Sequence, residues 1–191
     1  MSSPTRRTTR HTAAHGKIHR IGLVSDTHGQ FHPALNTLLS GVEEILHAGD
    51  VGSPQVIESL SRIAPITAVS GNVDVGIPGL VYPAFARRDL YGVRVLITHY
   101  VGTPESPMPP VAEAIKVERP QLVLSGHTHK PFVEVRLGIL YVNPGSCGPR
   151  RFRLPISCGV LTVKEGAGIA EAKVQLYDLE TGGELIVPAS D

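Results

Sequence analysis

No stretch of this 191-residue chain is apolar for long enough to cross a bilayer. Cysteine is scarce. Cys147 and Cys158 form neither a CxxC pair nor a zinc-type spacing, so the expectation is two reduced, buried thiols rather than a disulfide framework. Acid is missing from the first 20 residues, which hold Arg6, Arg7, Arg10, Lys17 and Arg20. The rest of the chain carries 13 basic against 17 acidic side chains. A mildly acidic body suits cation binding and lacks the basic surface that a nucleic-acid groove needs. No internal repeat is visible, and the length fits one domain with a sizeable core.

Residues 1–17 are rich in Ser, Thr, Arg and His and have almost no large apolar side chain, so they are expected to be a disordered basic tail. They have no apolar h-region. Their acid-free start faintly resembles a transit peptide but lacks an amphipathic apolar face. His11, His15 and His19 are expected to be solvated there. A single domain is expected over 18–180, and a loose tail from Thr181 to the end. A cytoplasmic location is expected.

Strand and helix signals then alternate. Ile21 to Val24 is a short buried strand, and Pro33 opens a helix with Leu35, Leu38 and Leu39 on one face, closed by Gly41. Glu43 to Ala48 is a second strand. Ser53-Pro54 starts a helix whose stripe is Val56, Ile57, Leu60 and Ile63, and Pro65 stops it. Ile66 to Val69 is a third strand. Leu80 to Leu90 is expected to be extended, and Tyr91-Gly92 turns the chain into Val93 to Ile97. Residues 102–110 hold four prolines and are expected to form a surface loop, a rim or lid beside His99. A helix through Ala112, Ile115 and Val117 ends at Arg119-Pro120. Leu122 to Leu124 is a strand, and after His129 the chain turns β-rich: Phe132 to Arg136, Ile139 to Val142, Ser157 to Val163 and Ala170 to Tyr177. Early βα units followed by late antiparallel strands predict an α/β fold of two packed mixed sheets flanked by helices.

In such folds the functional groups lie in loops at the carboxyl ends of strands. Those loops supply Asp26 and His28, Asp50, Asn72, His99, then His127 and His129. That is seven oxygen and nitrogen ligands with no sulfur, a set suited to two divalent ions. A carboxylate between two ions bridges them, and two-metal sites act on in-line displacement at phosphorus. His127 and His129 are one residue apart, and on an extended backbone they would point to opposite sides, one towards each ion. Singly, each residue has a plainer reading: a strand-end Asp is usually a turn former, and His47 and His32 are read as a core histidine and a loop residue.

The blocks Asp26-Thr27-His28, Gly49-Asp50, Gly71-Asn72-Val73-Asp74, His99 and Gly126-His127-Thr128-His129 stand in one order along most of the chain. In this the sequence resembles the calcineurin-like metallophosphoesterases. Its size and Asn143-Pro144-Gly145-Ser146 resemble the small phosphodiesterase branch, which includes the fold of a eukaryotic retromer subunit. The resemblance implies a four-layer α-β-β-α sandwich. It also implies that Asp26, His28, Asp50 and His129 hold one ion and Asp50, Asn72, His99 and His127 the other.

The activity expected is hydrolysis of a small phosphodiester or nucleotide-like substrate by a metal-bridging hydroxide, with two divalent ions, manganese first and Fe2+, Zn2+ or Ni2+ as alternatives. A phosphomonoesterase and a non-enzymatic scaffold of the same fold are the competing readings. No membrane partner is expected, and a homo-oligomer is left open.

Two departures stand out. Val73 takes the place where many relatives carry a histidine thought to protonate the leaving group, and Val101 the place of a later histidine. Asp74 is read as an orienting residue or a turn former. Asn143 and Ser146 are read as turn formers. Lys130, Arg150, Arg151 and Arg153 are the cations able to hold phosphate, with Arg150 and Lys130 preferred.

Overall fold

The computed structural model describes residues 16–187. Strands β1 (Ile18–Val24), β2 (Glu44–His47) and β3 (Ile66–Ala68) run parallel, and β9 (Ser157–Lys164) and β10 (Lys173–Asp178) extend the sheet antiparallel beyond β1. In the second sheet β5 (Val93–Thr98), β6 (Leu122–Leu124) and β8 (Ile139–Asn143) are parallel, with β4 (Phe85–Leu90) and β7 (Phe132–Arg136) as antiparallel edges. The sheets pack face to face. Ile21, Leu23, Leu46 and Leu161 of the first meet Val95, Ile97, Leu124 and Val142 of the second in one buried cluster.

Helices cover both outer faces. α1 (Leu35–Leu38) and α2 (Pro54–Ser61) bury Leu35, Val56 and Leu60 against Val24, Ile45 and Val160. α3 (Pro109–Glu118) lays Val111, Ala114 and Ile115 on Leu96, Val123 and Tyr141. This is the expected four-layer sandwich. The Ser53 hydroxyl caps α2 by accepting the Gln55 N–H at 3.2 Å, and Pro54 follows at the first helical position, where its missing N–H is harmless. Arg119 ends α3 in left-handed geometry before Pro120.

Several sequence expectations are corrected. β1 begins at Ile18, and alternation along it places His19, Ile21 and Leu23 on the inner face. His19 is therefore buried rather than solvated, stacked on Tyr91 at 3.3 Å between ring centroids, with Nδ1 2.9 Å from Glu43. His11 and His15 lie outside the described residues. The stripe of α3 runs through Val111, Ala114 and Ile115, at spacings of three and four, and Val117 is exposed. The stretch expected extended from Leu80 forms a strand only from Phe85, and a 3-10 turn (Ile169–Glu171) replaces the start of the last expected strand. Beyond Thr181 the chain folds back on β10, with Leu185 N–H donating to Leu176 O at 2.8 Å.

Both cysteines are free and buried in the core beneath α1 and α2. Burial raises both thiols, Cys158 to about 12, so they are inert at neutral pH. No helix among the described residues is long and apolar enough to cross a membrane.

His47 is the core histidine that the sequence suggests. It is fully buried, its Nδ1 accepts the Gly49 N–H at 3.2 Å, and its Nε2 lies 3.0 Å from the Thr27 hydroxyl, which in turn donates to Val51 O. That chain of bonds requires a neutral ring protonated at Nε2. Burial lowers its pKa from 6.5 to about 4, against the pull of Asp26 and Asp74. Between those values the unfolded chain holds a proton that the folded one does not, so stability falls as pH drops through this window and levels off below it. The metal-free protein should lose roughly 3 kcal/mol from this residue alone. Chemical denaturation at pH 7, 5.5 and 4 checks this: His47→Gln should flatten the decline, and an unchanged slope would contradict the assignment.

Candidate metal centre

The loops that end β1, β2, β3, β5 and β6 meet at one rim of the sandwich. Asp26 N–H donates to Gly49 O at 3.0 Å, His28 N–H to Asp50 O at 2.9 Å, and Gly126 N–H to His99 O at 2.9 Å. Asp26, His28, Asp50, His127 and His129 all have positive φ, between 47° and 68°. Left-handed backbone is uncommon for such residues and is sustained only where surrounding structure enforces it. His127 and His129 are therefore not on extended backbone, as the sequence suggested, yet they still face different neighbours.

Two groups of ligand atoms result. In the first, Asp26, His28 and His129 converge. His28 Nε2 lies 3.1 Å from His129 Nε2, and His129 Nε2 lies 3.3 Å from Asp26 Oδ1. In the second, His99 Nε2 stands 3.1 Å from Asn72 Oδ1, 3.3 Å from His127 Nδ1 and 3.4 Å from Asp50 Oδ2. Asp50 Oδ2 is also 3.9 Å from His28 Nε2, so this oxygen stands between the groups. Asp26 likewise falls within a 4.8 Å cluster with Asp50 and His99. The structure thus brings all seven sequence-predicted ligand residues together.

The electrostatics suit a cation. Asp26 and Asp50 are buried. Burial would raise the Asp50 carboxyl, but His99 and the Val73 N–H, with the charge of His28, hold it at about 2. His99 donates through Nδ1 to Ala48 O at 2.8 Å, which leaves the Nε2 lone pair facing the group. Its pKa is nevertheless raised: burial lowers it, and Asp50, Asp26 and Ala48 outweigh that. Burial lowers His28 and His127, with Arg151 adding to the effect on His28 and His99 to that on His127. Imidazole nitrogens facing each other at this range, beside the ionised Asp50 and without sulfur, fit divalent ions.

Non-ligand residues hold the loops. Asp74 accepts the Gly52 N–H on Oδ1 and the Gly71 N–H on Oδ2, both at 2.8 Å. It joins the β2 and β3 loops and touches no ligand atom. Ser25 donates to Asp26 Oδ2 at 2.6 Å, and the His127 N–H to the same oxygen at 3.0 Å. Asn143 donates to Gly126 O and Thr128 Oγ1, and Ser146 to Asp26 O, so both are loop staples. Gly71 and Gly126 allow close approach: a Cβ at Gly71 would overlap Asp50, and one at Gly126 would overlap the Ser25 hydroxyl.

Arg150 pairs with Glu180 and donates to Leu154 O at 3.3 Å. Lys130 lines a cleft with Thr103, Glu105, Glu134 and Thr128, the last of these between His127 and His129. Arg151, one of the four cations considered but not preferred, is the one whose charge acts on His28. Arg151 and Arg150 are adjacent and alike in sequence, so only the loop geometry separates them. Tyr100 was also missed as a site residue: its ring lies 4.4 Å from that of His127.

The profile of the calcineurin-like phosphoesterase superfamily domain matches residues 20–166, and the chain belongs to this family. A probable metallophosphoesterase of Methanothermobacter thermautotrophicus is 31% identical over 131 residues, covering 66% of this chain and 76% of that protein. A phosphodiesterase of Methanocaldococcus jannaschii is 28% identical over 175 residues, covering 83% and 96%. Among solved structures, vacuolar protein sorting 29 of Cryptosporidium parvum superposes with a TM-score of 0.72 at 21% identity, covering 89% of this chain and 96% of that one, a likeness of fold. Fold, family and the two ligand clusters together define a metal-dependent phosphoesterase.

Asp74→Asn replaces an acceptor of two N–H groups with one that turns an NH2 towards a donor. It should lower metal affinity about 10–100-fold with every ligand intact, read by titrating metal-free protein with Mn2+. Gly126→Ala should destabilise the metal-free fold by about 1–3 kcal/mol through overlap with Ser25. Denaturant midpoints check this.

Proposed function

We propose that this protein is a phosphodiesterase that uses two divalent ions, with manganese as the first candidate. The observation that carries the reading is Asp50 Oδ2, poised between His28 on one side and His99 on the other. Asp26, His28, Asp50 and His129 would hold one ion, and Asp50, Asn72, His99 and His127 the other, with Asp50 shared. When bound, such ions polarise a phosphoryl oxygen and lower the pKa of a coordinated water towards ~7. An oxygen and imidazole ligand set accepts several divalent metals, so manganese rests on preference for hard, mixed O/N donors rather than on geometry.

The chain's own residues prepare the site. Asp50 is ionised at neutral pH, and Ser25 and the His127 N–H fix the Asp26 carboxylate. His28 and His127 have lowered pKa values and offer neutral nitrogens. The charge of Arg151 acts on His28, which makes this exposed arginine a candidate to meet a phosphate oxygen. Asp74 positions the Asp50 and Asn72 loops. Val73 offers its N–H to Asp50 and a side chain with no transferable proton, so a water is the proposed proton source for the departing oxygen. Such an enzyme favours esters with good leaving groups. The diester preference is supported by the diesterase named among its relatives. The buried free thiols agree with a reducing, cytoplasmic setting.

Metal-stripped full-length protein, resupplied with Mn2+, tests this on bis(p-nitrophenyl) phosphate against p-nitrophenyl phosphate. Metal-dependent diester cleavage is expected. A monoester preference would move the assignment to a phosphatase, and silence on both despite two bound ions would favour a scaffold role. Asp50→Asn should lose metal affinity and lower turnover at least 100-fold. Full activity with bound metal would refute the shared-ligand role. Equal rates on alkyl and nitrophenyl diesters would refute solvent protonation of the leaving group.

A further inference from the structure

A cleft of about 300 Å³ opens against the His99 side of the metal centre. His99 forms part of its wall, and Tyr100, which leans on His127, forms another part. Ala84, Phe85, Met108, Pro110 and Val111 supply most of the remaining surface. No Asp, Glu, Lys or Arg lines it, and its side-chain hydroxyls are those of Ser70, Thr98 and Tyr100. Ser70 is turned to Gly71 O at 3.3 Å. Tyr100 and Met108 are 41% and 44% exposed, an accessible apolar surface beside a charged centre. The His28 side differs, because the charge of Arg151 acts there.

This asymmetry separates the parts of a phosphoester. The charged centre and Arg151 suit the phosphate. The cleft suits something uncharged, apolar and of limited size. A cavity of ~150 Å³ is enough to hold benzene, so this one accommodates a ring with a small substituent. A nucleobase edge would find few hydrogen-bond partners on these walls, and its buried polar atoms would go unpaired. We propose that the cleft seats one ring-sized apolar ester group of the substrate, so that the protein selects small phosphoesters with an aryl or comparable hydrophobic substituent over alkyl or sugar esters. The inference rests on the phosphodiesterase reading for turnover, while binding to the cleft is testable without it. Apolar burial beside the reacting phosphate contributes about 25 cal/mol per Å² of area removed from water, the physical source of the selectivity.

The test is calorimetric titration of the full-length manganese-loaded protein with phenylphosphonate and methylphosphonate, which differ only in the group offered to the cleft. The wild-type ratio of affinities, phenyl over methyl, is compared with that of Ala84→Trp, which puts a ring into the cleft, and of Met108→Glu, which places a carboxylate in its wall. Neither residue is a proposed metal ligand. At least fivefold tighter binding of the phenyl compound, lost in both variants, would uphold the proposal. Equal affinities, binding of neither compound, or a preference unchanged in both variants would overturn it. The titration needs no turnover, so its outcome is separate from that of the diester assay, whose failure alone would count against the phosphodiesterase reading.

Discussion

Two carboxylates, Asp26 and Asp50, are buried at the rim of the sandwich within one cluster. Charges of one sign placed there are costly unless each is compensated. The compensation comes from donors and imidazoles on other loops: Ser25, the His127 and Val73 N–H groups, His28, His99 and His129. Balancing the charge and assembling the loops are therefore one event. Divalent ions held there would complete the balance, and their binding would then be coupled to the order of the rim.

The loops reach this arrangement through backbone that few residues adopt freely. Left-handed geometry at five ligand residues costs on the order of 1–3 kcal/mol each where it is strained. It persists because residues outside the ligand set hold it. Asp74 joins the second and third strand-end loops, His47 joins the first and second through Thr27 and Gly49, and Asn143 secures the turn before His127. None of these three is placed to bind an ion. They supply the rigidity that lets ligands from distant parts of the chain converge with little further ordering.

A superposition at 21% identity on a protein-sorting subunit speaks to architecture. The chemistry lies in the ligand clusters and in the side chains around them. Val73 puts an apolar side chain at one edge, and Tyr100 puts an aromatic ring in the wall of an apolar cleft at the other.

Much of the metal centre was legible because strand–loop–helix rhythm places loop residues at strand ends, and because seven oxygen and nitrogen ligands recur there in order. The same periodicity located most strands, the stripe of α2 and its Ser53 cap. Three matters needed the tertiary structure. His19 looked like part of a solvated tail, and only the pairing of β1 with β9 put it on an inner face beside Tyr91. Arg150 and Arg151 are neighbours of one type, and only the course of their loop paired one with Glu180 and left the charge of the other to act on His28. The apolar cleft joins residues 70, 84–85, 98–100, 108 and 110–111, which no local pattern connects. Residue type and spacing along the chain determine which chemistry is available. Which groups meet, and which way they face, depends on long-range packing that no single stretch of sequence contains.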